Sequence, residues 1–375
     1  MISKSKKKKK AGWLTKTLFV LNIAAAGILI LSYVAAFIPP TSFWPVAFIG
    51  LGYPFLLLIN VVCALFWLFK KPVYSLVSFL TILLGWKFLV STIGFREPTA
   101  IQVPKSSNDV IRVMTWNVHY FKTFHERDYE KVIKSQMMDV IRKEQPDILC
   151  VQEFFTRRSG EFNFKKAITE VLNTQNYYIV ESDGNDYEMN GYAIFSKFKI
   201  RNKGKLDFPN IPHGNDVLFA DFEVNKKKFR VYSVHLQSIS FQPEDYQYLK
   251  NVKEIHTDVS STKRLSKRLK EAFIKRGEQV ELLKGHANGS KIPYIIAGDF
   301  NDTPISYAVN TVGKGMINSF REKGSGFGIT YNGDFPNFQI DYILVRPEFK
   351  VKNYIIIDKK LSDHYPVRAD LEFQP

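Results

Sequence analysis

The chain predicts an α/β protein in which two packed sheets carry helices on their outer faces, behind an N-terminal region of three membrane-length helices. Three observations carry this. Residues 1–97 hold nearly all the long apolar runs and almost no acids. From residue 110 the apolar runs shorten to strand length and alternate with polar segments. Two longer stretches there have helical apolar spacing. Many strands with a few long helices bury their faces as sheet on sheet with helices outside, a layered sandwich.

The N-terminal part opens on five consecutive lysines, Lys6 to Lys10. Apolar stretches follow at 13–38, 44–69 and 73–95, each longer than the roughly 20 residues that cross a bilayer core. Trp13, Phe43, Trp44 and Trp67 sit near their ends, as aromatic residues do at membrane interfaces. A basic head before an apolar body also describes a signal peptide, but two further runs keep the protein anchored either way. Lys87, inside the third run, is costly at mid-membrane, at about 2.5–3.5 kcal/mol. It therefore pairs in the bundle, snorkels or serves a function. The Lys6–Lys10 head and Lys70-Lys71 both favour the cytoplasm. If the first two helices form a hairpin, the third crosses outward and the rest of the chain lies outside the cytoplasm. Residues 98–109 read as a linker, so the expected organisation is anchor 1–97, linker 98–109 and an α/β domain 110–375.

Charge supports this division. Of the net +16, the first 100 residues hold +10, from 11 Lys and Arg against one Glu. The remainder carries only +6, so the basic balance reflects membrane-flanking lysines and does not demand a nucleic-acid groove. Cys63 and Cys150 lie in an apolar run and a strand, which predicts neither a disulfide nor a cysteine metal site.

In the second part, strands are expected at 111–116, 147–152, 178–181, 192–196, 218–224, 229–235, 294–298, 342–345 and 367–373, from their β-branched and aromatic content. Helices are expected at 128–144, where Val132, Ile133, Met137, Val140 and Ile141 share a face, and at 265–283, where Leu265, Leu269, Phe273, Val280 and Leu283 do. The basic residues Lys263, Arg264, Lys267, Arg268 and Lys270 then form a solvated face, or one that meets phosphate-rich ligands or lipid headgroups.

Six segments share one pattern, an apolar strand followed by a chemically capable side chain. They are Val-Met-Thr-Trp-Asn117, Leu-Cys-Val-Gln-Glu153, Tyr-Ser-Val-His235, Ile-Ala-Gly-Asp299-Phe-Asn301, Gln-Ile-Asp341 and Ser-Asp363-His364. One such residue is ordinarily a turn or cap, and an Asp-His pair alone is as readily a loop ion pair. His235 alone could be a satisfied core histidine. Six in one region, at strand ends that a sandwich gathers at one rim, supply carboxylates, amides and imidazoles for metal-assisted attack of water on a phosphate ester. His119, His125, His213, His256 and His286 read as ordinary loop or surface histidines.

The Gly-Asp-Phe-Asn and Ser-Asp-His-Tyr-Pro pair, with the other four segments in order, resembles the endonuclease/exonuclease/phosphatase superfamily, the DNase I-like proteins, over about residues 110–373. The resemblance implies a four-layer αββα sandwich and a Mg²⁺ cofactor, with Mn²⁺ the alternative. It implies Glu153 as main metal ligand, Asn117 supporting the metal or a phosphate oxygen, and Asp363 near the metal. His364 would be the acid/base imidazole, oriented by Asp341, and Asp299 would position or deprotonate the attacking water. Asn301 and His235 would donate to phosphoryl oxygens, and Asn190 resembles a family position that meets substrate phosphate. Two departures stand out: His119 occupies a position often acidic in nuclease members, and Gln339 one where arginine is common.

The expected function is a membrane-anchored Mg²⁺-dependent phosphoesterase. Its substrate is a phosphate ester, either nucleic acid or a phospholipid or inositol phosphate, and no obligate protein partner is implied. The alternative is a catalytically silent, membrane-tethered binding protein that keeps the fold. A transporter or sensor carried by the helices has only Lys87 to suggest it.

Overall fold

The structure, a computed structural model, describes residues 12–97, 105, 107, 109–121, 129–208, 215–242, 244, 245, 247, 248, 258–333 and 336–374. The lysine run, most of the linker, and His125, His213 and His256 lie outside the described residues.

Six helices build the N-terminal part: α1 (Trp13–Val34), α2 (Pro40–Phe43), α3 (Pro45–Leu51), α4 (Tyr53–Lys70), α5 (Pro72–Leu84) and α6 (Trp86–Thr92). By length and composition, α1 and α4 can each cross a membrane, and α5 with α6 makes a third crossing if that bent pair is one span. The third expected span is thus not one straight helix. It turns by 70° at Gly85, where a Cβ would stand 2.2 Å from Cζ of Tyr33. Only glycine admits that ring. Lys87 follows the break, and its Nζ donates to Asn310 Oδ1 at 3.1 Å, so the charge sits at the junction with the second part.

β1 (Ile93–Phe95) leads out of α6. There follow β2 (Val110–Asn117), α7 (Tyr129–Glu144), β3 (Ile148–Arg157), α8 (Phe164–Leu172), β4 (Asn176–Gly184), β5 (Glu188–Ser196), β6 (Asn202–Leu206), β7 (Val217–Val224) and β8 (Lys227–His235). The long helix α9 (Val259–Asn288) starts at Asp258, whose side chain caps the amides of Ser260 and Ser261. The chain closes through β9 (Tyr294–Asp299), α10 (Tyr307–Gly313), β10 (Ile317–Asn318), α11 (Ser319–Lys323), β11 (Ser325–Phe327), β12 (Asp341–Val345), β13 (Phe349–Ile356) and β14 (Val367–Phe373).

Two six-stranded sheets result, ordered β13-β14-β2-β3-β5-β4 and β10-β12-β9-β8-β7-β6. Their inner faces meet in one core containing Val113, Ile194, Phe229, Ile295, Val367 and Leu371. Met137, Ile141 and Ile168 of α7 and α8 cover the outside of the first sheet. Val280, Leu283 and Val312 of α9 and α10 cover the second. This is the four-layer αββα sandwich, the DNase I-like fold. Each buried Val, Leu, Ile or Phe contributes about 1.5–3 kcal/mol against exposure.

All nine expected strands and both helices form. The expectation misses β6, whose Asn-Lys-Gly-Lys-Leu sequence is a polar sheet edge, and β13, whose alternating burial was legible in Phe349-Lys-Val-Lys. It also misses the short helix α8.

Candidate active site

Strand register assembles the site. In the second sheet β12, β9 and β8 are neighbours, and both Asp341 and His235 stand in register with Asp299. In the first sheet β14, β2 and β3 are neighbours. Asn117 ends β2, opposite Gln152 of β3, and His364 lies just before β14. Asn117 and His364 from strand ends of the first sheet therefore meet His235, Asp299 and Asp341 of the second at one rim, while Glu153, expected just past a strand ending at 152, comes from inside β3, which runs on to Arg157.

Asn117 joins the two halves. Its Nδ2 is 3.1 Å from Glu153 Oε1 and 3.1 Å from Asp299 Oδ2. His364 Nε2 is 3.7 Å from Asp299 Oδ2, and its Nδ1 is 2.9 Å from Asp341 Oδ2. His235 Nε2 is 3.6 Å from Asp299 Oδ2 and 3.7 Å from Glu153 Oε1. Both ring nitrogens of His235 are buried without a hydrogen-bond partner. The Asn301 amide N–H donates to Asp299 Oδ1 at 2.8 Å, and its Nδ2 reaches Leu236 O and Asp299 Oδ2.

Two backbone features aim these groups. The β3–β5 register shifts between Val151 and Phe154, and at this bulge Glu153 takes a left-handed φ of 48°. Bulges re-aim side chains in this way, and the strained φ of a non-glycine residue is typical of functional positions. Gly298 packs against β8, where a Cβ would meet Val234 O at 2.0 Å. The glycine before Asp299 is thus required by close strand approach.

The electrostatics follow from burial and charge. Burial alone would lower the His364 imidazole, but the Asp341, Asp299 and Asp363 carboxylates outweigh it and hold the ring well above its usual range. Burial pushes Asp299 up against the opposing pull of His364. Burial would also raise Glu153, yet the His119 hydrogen bond and the His235 charge bring it down to about 2. His119 itself is raised, since Glu153 and Asp363 overcome its burial.

Glu153, Asp299, Asn301, Asp363 and His364 line a cavity of about 440 Å³ together with His119 and Tyr120, whereas Asn117, His235 and Asp341 are buried outside its lining; the size is ordinary for a small-ligand site. His119, expected to be an ordinary loop histidine, lies between two carboxylates, 3.4 Å from Glu153 Oε2 and 3.6 Å from Asp363 Oδ2. Asn190 is on β5, opposite Phe155 of β3. Its buried Oδ1 has no hydrogen-bond partner, but it does not line the cavity. His286 accords with the structural expectation, at 3.0 Å from Tyr232 Oη and outside the cavity lining. Gln339 is buried with neither side-chain nitrogen nor oxygen hydrogen-bonded.

Supporting residues carried no sequence signal. Thr330 Oγ1 accepts from the amides of Ile340 and Asp341 at 2.9 and 3.0 Å. Ser362 Oγ donates to Asn117 O at 2.9 Å, and Trp116 Nε1 to His364 O at 3.0 Å. Buried Arg276 pairs with Asp302 at 3.0 Å on the cavity wall. Each is defined by a partner distant in sequence.

Two donor sets fit a divalent cation. Among the described residues, ligand atoms of Asp299, Asp341 and His364 lie within 4.8 Å of one another, a group that could bind a metal, although His364 Nδ1 is already held by Asp341. The other set is the convergent carboxylates of Glu153 and Asp363 with the Asn117 amide. The two carboxylates line the open cavity and Asn117 is buried outside that lining; hard oxygen ligands are what Mg²⁺ prefers. Asn117 turns its Oδ1 to the His119 amide at 3.1 Å, so it would have to flip to offer oxygen to an ion at Glu153.

A two-sheet αββα sandwich with acids, amides and imidazoles converging at one rim is the arrangement of the DNase I-like proteins. The chain belongs to the endonuclease/exonuclease/phosphatase family, whose model matches residues 114–364. Members of this family are hydrolases acting on phosphoester bonds. A second family model, described as a domain of unknown function, matches residues 15–92. No curated protein matches the chain.

Solved structures show the same fold. One is an endonuclease/exonuclease/phosphatase from Beutenbergia cavernae, 19% identical over 71% of this chain and 72% of that one, with a TM-score of 0.51. The human nocturnin catalytic domain with bound sulfate is 18% identical over 71% and 95%, at 0.50. A humanized TDP2 from D. rerio is 15% identical over 71% and 100%, at 0.50.

Proposed function

We propose that the chain is a membrane-anchored, divalent-metal-dependent phosphoesterase whose catalytic domain faces away from the cytoplasm. The observation that carries the chemistry is the meeting of Asn117, Glu153 and His364 from one sheet with His235, Asp299 and Asp341 from the other.

The Glu153 and Asp363 carboxylates, with Asn117, would hold Mg²⁺ or Mn²⁺. The ion, when bound, supplies charge neutralisation at the phosphoryl oxygens. Asp299, whose pKa is raised by burial, orients a water and takes its proton as the water oxygen forms the new P–O bond. The opposite P–O bond breaks in line, and protonated His364 gives its proton to the departing oxygen. Asp341 holds the imidazole in orientation and stabilises its charged form. His235, with two unpartnered nitrogens just outside the cavity lining, and Asn301, once its Nδ2 leaves Leu236 O or Asp299 Oδ2, would donate to phosphoryl oxygens as charge builds. Asn190 would act only on a substrate group reaching beyond the cavity lining.

The orientation rests on which helix ends meet the catalytic domain. Tyr33 at the end of α1, Tyr53 at the start of α4 and Phe88 of α6 cluster with Ile305 of the catalytic domain. Tyr33 Oη also donates to Thr81 O near the end of α5. The start of α1 and the Lys70-Lys71 turn are at the other end, where Phe19 stacks on Tyr74. The placement of Lys70 and Lys71 at one end of these helices and of the catalytic domain at the other supports this orientation, because lysine-rich ends stay in the cytoplasm.

The test is hydrolysis of bis(p-nitrophenyl) phosphate by the full chain in detergent, with Mg²⁺ or with chelator, for the parent, Asp299→Ala and His364→Ala. Metal-dependent turnover in the parent that falls by three or more orders of magnitude in both variants is expected. A parent without metal-dependent turnover on any phosphate ester would instead point to a silent binding protein.

A further inference from the structure

The catalytic cavity is partly walled by the membrane part of the chain. Leu51, the last residue of α3, lines it. Thr303, Pro336 and Phe338 line both this cavity and an adjoining one of about 430 Å³. On one side of the second cavity stand Phe55, Leu58 and Val61 of α4, and on the other Ile305, Phe327 and Ile329. Among the described residues, no Lys, Arg, His, Asp or Glu lines it.

The groove is open where α4 faces outward. Phe55 and Leu58 are 57% and 61% exposed, and Phe327 is 70% exposed. A contiguous apolar opening of this kind marks a binding site or a membrane-facing surface. Here its wall is a helix long and apolar enough to cross a membrane, and Thr303, Pro336 and Phe338 are all that is common to its lining and that of the cavity holding the catalytic groups. The basic helix α9 packs on the elements just before α4, with the Phe273 ring against Phe48 of α3 at 5.2 Å. Lys270 Nζ lies 4.8 Å above the Trp44 ring. Tryptophan and lysine together are the residues of the headgroup layer.

We infer that the substrate is an amphiphilic phosphate ester, a lipid whose hydrocarbon tail lies in the α4 groove while its phosphate enters the catalytic cavity. The chemistry of the step rests on the phosphoesterase reading above; the tail site rests on the groove alone. Water adds to phosphorus, the P–O bond to one ester oxygen breaks, and the products are an alcohol and the corresponding phosphate.

The test uses the full chain in detergent micelles and two probes, methyl and dodecyl p-nitrophenyl phosphate. In the parent the dodecyl ester should show a KM roughly tenfold or more below the methyl ester, the effect of burying two or three methylenes. In Leu58→Trp, which fills the groove, that ratio should collapse towards one. An equal ratio in parent and variant would mean micelle partitioning alone and would overturn the proposal, as would faster cleavage of an oligodeoxynucleotide than of the dodecyl ester. If neither ester is turned over, the phosphoesterase reading fails, and the groove is decided separately. Dodecyl phosphate with a terminal diazirine should then crosslink to peptides spanning 53–61 and 327–339 in the parent, and lose that label in Leu58→Trp and in Val61→Trp. Label elsewhere, or label unchanged by both substitutions, overturns the tail site.

Discussion

His364 Nδ1 lies 2.9 Å from Asp341 Oδ2, with both side chains buried and the two residues supplied by different sheets. Burial disfavours the imidazolium, and the Asp341 carboxylate leads the charges that restore it. Protonated His364 is the proposed proton donor, so turnover falls as pH rises through its pKa. Asp341→Asn removes the leading stabiliser, lowers that pKa and moves the alkaline limb of the kcat profile to lower pH. Turnover should also fall by about 10²–10⁴-fold. A limb that stays in place would separate Asp341 from the imidazole.

Chelation should abolish turnover, and added Mg²⁺ should restore it. Glu153→Ala should raise the Mg²⁺ concentration giving half-maximal rate by at least about tenfold, because a hard cation loses its best-placed carboxylate. A metal titration of initial rates measures this. Equal dependence in the variant and the parent protein would move the ion to the Asp299, Asp341 and His364 group.

Gly298→Ala should leave little folded protein. The new Cβ meets a backbone oxygen, Val234 O, at 2.0 Å, and backbone in a central parallel pair has nowhere to yield. A cost of at least about 3 kcal/mol is expected, read as loss of the thermal unfolding transition or of monodisperse protein. Normal stability would show that the close approach of β8 and β9 relaxes easily.

Ile305 is 1% exposed and packs in the cluster of Leu29, Tyr33, Tyr53 and Leu57, four residues after Asn301. Ile305→Ala should cost about 2–5 kcal/mol of that packing. Hydrogen exchange should then rise in residues 300–306 while the central strand β8 stays protected. Unchanged exchange would mean that the loop is held by the catalytic domain alone.

Lys87→Met should change turnover and melting temperature little. The bond to Asn310 is exposed, and exposed polar contacts contribute about 0–1 kcal/mol. A severe loss would restore a functional role inside the membrane part.

The site was legible because its residues sit at strand ends in short motifs, each readable without its neighbours. Asp299, Asn301, Asp363 and His364 announce themselves in two adjacent-residue signatures. Thr330, Ser362 and Arg276 do not, because their roles exist only through partners such as the Asp341 amide, Asn117 O and Asp302. His119 was read as an ordinary loop residue; its contact with Asp363 spans 244 positions of chain.

Local pattern was enough for the alternation of strands and helices, the apolar N-terminal stretches and the polar residue closing each strand, since periodicity and composition are properties of neighbouring residues. Three things needed the folded molecule. The third apolar stretch needs glycine at its bend because the Tyr33 ring occupies the place of a Cβ at position 85. Glu153 turns into the cavity because β3 bulges against β5. The apolar groove lies beside the catalytic cavity because Ile305 and Phe338 come to lie against α4. Each depends on atoms far apart in the chain, and packing alone brings such atoms together.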